Sequence, residues 1–254
     1  MPSRAFLIAI AASITLSCSV VASFLEPSPT ALLQKASANL KAAKTTHIEG
    51  TGTFAIKDGM NLSFDFKMSG DAEVPDKARL NMQMALLGQS LSVDTITIGG
   101  RTFVKGLQGT TWTEGSATDP TQSGMLDPLG QTDLSTVVSV TEIDRPEVEG
   151  KKTRHLKYAV DVQKLVDKMQ SAPGAASLKP SNVIGTGEVW VRTDDTQIVR
   201  QLVKLSFEIA GDLGLSAGGA PAPSGKGTFE MSFDLHFSQI GKPITPAITA
   251  PPTR

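Results

Sequence analysis

Apolar and polar residues alternate without a break in two stretches near opposite ends of the chain. Met60, Leu62, Phe64, Phe66 and Met68 alternate with Asn61, Ser63, Asp65 and Lys67. Phe229, Met231, Phe233, Leu235 and Phe237 alternate with Glu230, Ser232, Asp234 and His236. A period of two is the mark of an extended strand with one wet and one greasy face. In the shared Ser-Phe-Asp triplets, Phe64 and Phe233 point to the greasy side, and Asp65 and Asp234 point to water. Such strands predict a large antiparallel sheet with a single apolar face. That face is either a plain core or a core that leaves room for an apolar guest.

Other strands fill the chain between them. The pattern predicts His47–Lys57, Ala78–Ala85, Ser90–Ile98, Arg101–Lys105, Val140–Val148, Thr153–Asp161, Val183–Arg192 and Ile198–Ile209, with Trp112 on or beside a short one. In 198–209 only Gln201 interrupts the apolar set. In 90–98 the apolar phase shifts between Leu91/Val93 and Ile96/Ile98, which predicts a bulge near Asp94 or Thr95. Gly50-Thr51-Gly52, Gly185-Thr186-Gly187 and Gly225-Lys226-Gly227 each precede an alternating run, where glycine lets a wide sheet bend.

Helical spacing is scarcer. Ser28-Pro29 supplies a cap and a first-turn proline, and Leu32, Leu33, Ala36, Leu40 and Ala43 then fall on one face. A short helix is expected over 133–138 and another over 162–171. The segment 242–254 is proline-rich and is expected to be extended and mobile.

The 24 basic and 25 acidic residues nearly cancel. A general nucleic-acid binder, which needs a basic excess, is therefore not expected. Aromatic content of 5% also speaks against a platform for stacked bases. The N-terminus changes the picture more. Arg4 precedes an apolar run, Ala5 to Leu16, of about a dozen residues, the pattern of a secretory signal. Ser17-Cys18 follows. Two cleavages remain open: a bacterial lipoprotein signal that leaves Cys18 lipidated, or ordinary cleavage after Val21-Ala22-Ser23. The domain reading is a signal over 1–17, a lipidated tether over 18–28, one domain over 29–241 and a flexible tail over 242–254.

No catalytic pattern stands out. There is no G-x-S-x-G elbow and no H-E-x-x-H helix. Cys18 is the sole cysteine, and His47, His155 and His236 are far apart in sequence, so neither a metal site nor a cofactor is expected. His155 and His236 read as solvent-facing strand residues. The expectation is a binding protein rather than an enzyme. Five of the eight methionines (Met60, Met68, Met82, Met84, Met231) lie in the apolar phase of strands. Their flexible thioethers suit irregular apolar contacts. Many strands share one apolar face, and three modest helices are few to cover it.

The order of these features resembles the LppX/LprG family of bacterial envelope lipoproteins, relatives of the LolA-type carriers. The resemblance rests on the signal-junction Cys18, the helix in ALLQKASANLKAAKTTHIEGTGTF, the GGRTFVKG…W segment, TDPTQSGMLDPLG and GEVWVRTDDTQIVRQLVKLSF. It implies a mainly β fold, an unclosed, strongly curved antiparallel half-barrel with helices over its concave face. It implies a lipid or acylated ligand, a membrane anchor at Cys18 and an exported location on the outer face of the cell membrane or in the periplasm. Strand phase assigns the lipid-cavity lining to Leu62, Phe64, Phe66, Leu80, Met82, Met84, Val203, Leu205, Phe229, Met231 and Phe233. The alternative is an envelope sensor or interaction module that contacts a membrane-protein partner and transports no cargo.

Overall fold

The computed structural model describes residues 26–57, 62–86, 89–106, 110–115, 137–161, 164, 180–212 and 224–252. Helix α1 (Pro29–Ala42) starts where the sequence places it, with the Ser28 hydroxyl accepting from the Ala31 amide at 3.2 Å. Twelve strands follow: β1 (Thr45–Lys57), β2 (Leu62–Glu73), β3 (Lys77–Leu86), β4 (Gln89–Ile98), β5 (Arg101–Lys105), β6 (Thr113–Gly115), β7 (Val137–Asp144), β8 (Glu147–Val148), β9 (Lys151–Val160), β10 (Pro180–Arg192), β11 (Ile198–Asp212) and β12 (Ser224–Ser238).

All pairings are antiparallel and give one sheet in the order β6-β5-β4-β3-β2-β1-β12-β11-β10-β9-β7, with β8 beside β9. β1 and β12 lie together at its centre, Gly52 opposite Phe233 and Phe54 opposite Met231, and β1 stands between the two strictly alternating stretches, which lie in β2 and β12. β6 and β7 are the two edges, and they do not pair with each other among the described residues. The sheet is therefore an open half-barrel.

The inner face is largely apolar, with Gln201, Thr95 and, near the start of α1, Arg154 among its buried polar exceptions. α1 crosses one end of it, and Leu32, Leu33, Ala36 and Leu40 are buried there against Ile48, Leu156, Val189, Val191, Ile198 and Leu235. Short turns close this end: 74–76, 99–100, 149–150 and 193–197. The strand ends at Lys57, Leu62, Leu86, Gln89, Val160, Pro180, Asp212 and Ser224 all lie at the opposite end.

The glycines do more than bend the sheet. Gly52 sits between Phe66 of β2 and Phe233 of β12, whose rings meet over it with centroids 5.5 Å apart. A Cβ on Gly52 would stand 2.2 Å from the Phe66 ring, and one on Gly187 would stand 2.0 Å from the Tyr158 ring. Two rings close across the missing side chain at Gly52 and one, Tyr158, at Gly187, which draws the strands into a concave curve.

Several expectations are corrected. Strands β3, β4 and β5 pair in continuous register, so no bulge lies at Asp94 or Thr95. The apolar phase shifts because β4 is greasy on both sides. Leu91 and Val93 face inward, whereas Ile96 and Ile98 face outward with Phe103 and Trp112. What covers that outer patch is the C-terminal segment, which is extended and packed against it rather than standing free. Ile248 is 5% exposed and Ile244 packs beside it. Val137 and Val138, expected at the end of a helix, open strand β7, and the single strand expected over 140–148 is two, β7 and β8. The helix expected over 162–171 lies outside the described residues apart from Lys164, and that expected over 133–138 lies outside them apart from Val137 and Val138.

Substituting Gly52 or Gly187 by alanine should destabilise the fold by about 1–3 kcal/mol, the usual cost of overpacking. Chemical denaturation would measure it. An unchanged midpoint would mean the rings do not need the gap.

Candidate functional site

The candidate site is the inner face beyond the reach of α1. Under the helix the inner side chains are fully buried. Further along the same strands, Phe54, Leu62, Phe64, Met82, Met84, Leu91, Val203, Leu205 and Met231 are only half-buried. They form a shelf of aromatic rings and thioethers. Phe54 stands 5.2 Å from Phe64 and 5.6 Å from Phe229 by ring centroid, and Phe229 stacks on Phe207 at 5.3 Å. Met231 touches two buried groups: the large one under α1, and a smaller one of Ile56, Val183, Phe207 and Phe229 at the far end.

Strand phase placed its candidates on one face, and the structure brings ten of the eleven into these two groups. Phe66, Leu80 and Phe233 are buried in the large group, with Phe64, Met82 and Met84 packed on it, and Met231 belongs to both. Phe229, Leu62 and Leu205 belong to the smaller one. Val203 lies on the same face, opposite Phe233, and is half-buried. Met60 and Cys18 lie outside the described residues. The shelf is apolar except where Gln201 breaks the alternation. Gln201 is 1% exposed and donates from Nε2 to the Tyr158 hydroxyl at 2.8 Å. Burial pushes the pKa of that hydroxyl above the ordinary phenol value, more than the Gln201 hydrogen bond lowers it. Tyr158 therefore stays neutral.

The outer face holds what the sequence reading missed. His155 is not solvent-facing. It is 9% exposed and stacks on Trp190 with centroids 4.1 Å apart. Its Nδ1 lies 2.9 Å from Asp144 and its Nε2 lies 2.9 Å from Glu188. From the strand on the other side of β10, the Arg200 guanidinium lies 4.4 Å from the Trp190 ring centroid. Arg200 then donates to both Asp234 oxygens, at 2.8 and 2.6 Å. Asp234 thus points outward, as its phase requires, but is half-buried in an ion pair rather than free in water. The stack clips β7, β9, β10, β11 and β12 together. Its signal was Trp190 and Arg200 falling in the polar phase, legible only once the strands are paired.

A second ionic cluster fixes where the N-terminal segment arrives. Arg154, nearly buried, donates from Nε to Glu142 at 2.9 Å and from Nη1 to the Pro27 carbonyl at 2.9 Å. Arg145 bridges Glu142 and Glu26. A third links His47, Asp71 and Arg79, with Asp71 2.8 Å from His47 and 2.6 Å from Arg79. Among the described residues, no group of three His, Cys, Asp or Glu side chains could hold a metal ion.

No family model matches the chain, and no curated protein matches it in sequence. Solved structures do. The lipoprotein LppX of Mycobacterium tuberculosis is similar at 15% identity and a TM-score of 0.46, over 86% of this chain and 99% of that one. LprF of Mycobacterium bovis is similar at 16% identity and a TM-score of 0.46, over 87% and 95%. A LolA superfamily protein of Nitrosomonas europaea is similar at 9% identity and a TM-score of 0.31, over 87% and 96%. The structural neighbours are thus LppX-like and LolA-like.

Three partly buried carboxylates carry the expected pH dependence. Asp234 is held below the ordinary carboxylate value by its Arg200 hydrogen bonds, against the opposing effect of burial. Burial pushes Asp71 and Glu142 up, but the bonds from His47 and Arg79 and from Arg154 and Arg145 outweigh it, so both also lie low. A depressed folded-state value gives stability that is present above the unfolded value and lost as pH falls through the folded one. Melting temperature should hold between neutrality and about pH 5 and fall below about pH 4. Asp234→Asn should cost about 1 kcal/mol at neutral pH and flatten part of the acid slope. An unchanged slope would remove Asp234 from the set.

Proposed function

We propose that the protein is a cell-envelope lipid carrier: it binds acyl chains of a lipid or lipoprotein on the shelf and carries or presents them across the extracytoplasmic space. One observation carries this reading. The apolar inner face continues well past its helix, and its outer reaches are half-buried aromatic and methionine side chains. Burying one CH2 of a chain is worth about 0.8 kcal/mol. A pair of long chains therefore binds without any specific polar contact. Methionine and phenylalanine suit such a guest because they offer area and adapt to irregular shape.

The membrane anchor belongs to the same proposal. Diacylation of Cys18 would give the two-chain attachment that a single chain cannot supply. No catalytic step is part of this reading. The competing reading keeps the fold but leaves the shelf filled by the protein itself, with the outer surface engaging a membrane protein.

Gentle purification followed by mass spectrometry separates them. The carrier should co-purify with lipid, and Phe64→Trp or Met231→Trp should displace it while the fold is kept. A lipid-free interior in the wild-type protein would sink the carrier and favour the sensor. Cys18→Ala should move the protein from membranes to the soluble fraction. Unchanged membrane association would refute lipidation.

A further inference from the structure

Two of the largest exposed apolar side chains among the described residues stand at the shelf end of the molecule. Ile184 is 63% exposed and Val138 is 61% exposed. Ile184 pairs with Ser206 in β11, on the outer face, one row from the end of the shelf. Val138 lies where the β7–β9 register shifts. Its neighbours Val137 and Val140 pack inward, and it does not. Two exposed lysines stand behind them. Lys204 pairs with Thr186, and Thr186 with Ala159; Lys157 pairs with Glu188 one row on. Neither lysine meets a carboxylate within ion-pair distance among the described residues. The carboxylates Asp161 and Glu230 at this end are held by Lys164 and Lys57. Glu208 and Glu188 are the carboxylates nearest the two lysines in the register, and Glu188 is engaged by His155 Nε2 at 2.9 Å.

The N-terminal segment leaves from the other end. Glu26 is bound by Arg145 and Pro27 by Arg154, both at the end closed by α1. Residues 19–25 between Cys18 and Glu26 reach at most about 25 Å when extended. The 15 residues of β12 run about 45 Å from the closed end to the shelf end. A bilayer holding Cys18 is thus kept at the closed end.

From these positions we infer that the shelf-end rim, with Val138 and Ile184 as aliphatic contacts and Lys157 and Lys204 behind them, docks on an anionic lipid surface, and that this surface is not the membrane that holds the protein. The inference rests on reading the shelf as a lipid-binding face. Exposed aliphatic side chains backed by lysine are the chemistry of a reversible interfacial contact. They adjoin the apolar face, so a chain leaving the shelf need not cross water.

The test uses the soluble Cys18→Ala protein and vesicles of phosphatidylcholine with or without phosphatidylglycerol. Flotation should show binding to the anionic vesicles only. The double variant Val138→Ser/Ile184→Ser should weaken it about tenfold, and Lys157→Glu/Lys204→Glu should abolish the preference for anionic lipid. Wild-type binding by both variants, or none by the parent protein, would overturn the rim. Loading with a fluorescent diacyl lipid, read separately, should be unchanged in both variants; failure of the parent to load would overturn the carrier reading instead. The Cys18-anchored protein should pass lipid to added vesicles faster than it takes it from the vesicles it sits on. The opposite ranking would overturn the orientation.

Discussion

A single sheet with one apolar face must cover that face, and the helix α1, taken by itself among the described residues, is too small to do it. Helix α1 has 14 residues and is about 21 Å long. The sheet's longest strands have 15 residues, about 45 Å each, and eleven strands lie side by side, with β8 off that path beside β9. Where the helix lies, the inner side chains are sealed from water. Beyond it Phe54, Phe64, Met82, Met84 and Met231 are only half-buried, beside the buried group of Ile56, Val183, Phe207 and Phe229 at the far end. Curvature gives the sheet a partial remedy, because the Phe66 and Phe233 rings meet over Gly52 and the Tyr158 ring leans over Gly187. It does not close the sheet, whose edges remain apart.

The polar side of the sheet supports that shape. A strongly curved sheet spreads its strands on the convex face, so side chains there must bridge wider gaps. The stack of His155, Trp190 and Arg200, with Asp144, Glu188 and Asp234 at its margins, spans five strands in this way. On the other flank, outward Ile96 and Phe103 would be an exposed apolar patch without Ile244 and Ile248 of the C-terminal segment. The two arms of the half-barrel are therefore braced by different means, one ionic and aromatic, the other by a chain segment laid across it.

Much of this was legible in the sequence because strand phase is a strong signal. Phe64, Phe66, Leu80, Phe229, Met231 and Phe233 fell on one face, and the structure puts them on one face. The helix start at Ser28-Pro29 was legible for the same local reason. What was not legible depended on who faces whom. The isoleucines of β4 looked like a register slip because nothing in 242–254 showed that it would cover them. His155 looked solvated because its partners lie on β7 and β10, and stacking on Trp190 follows only from the pairing of His155 with Trp190. Gly52 looked like a hinge, whereas its role is to make room for Phe66.

The central claim is that the outer part of the inner face is a surface for acyl chains and not merely a loosely filled core. Methyl-labelled methionine spectra of delipidated protein, titrated with a long-chain diacyl lipid, address it most directly. The methyls of Met82, Met84 and Met231 on the shelf should shift strongly and saturably, while that of Met68, buried beneath the helix end, should move little. Shelf methyls that stay in place while lipid is added would contradict the claim.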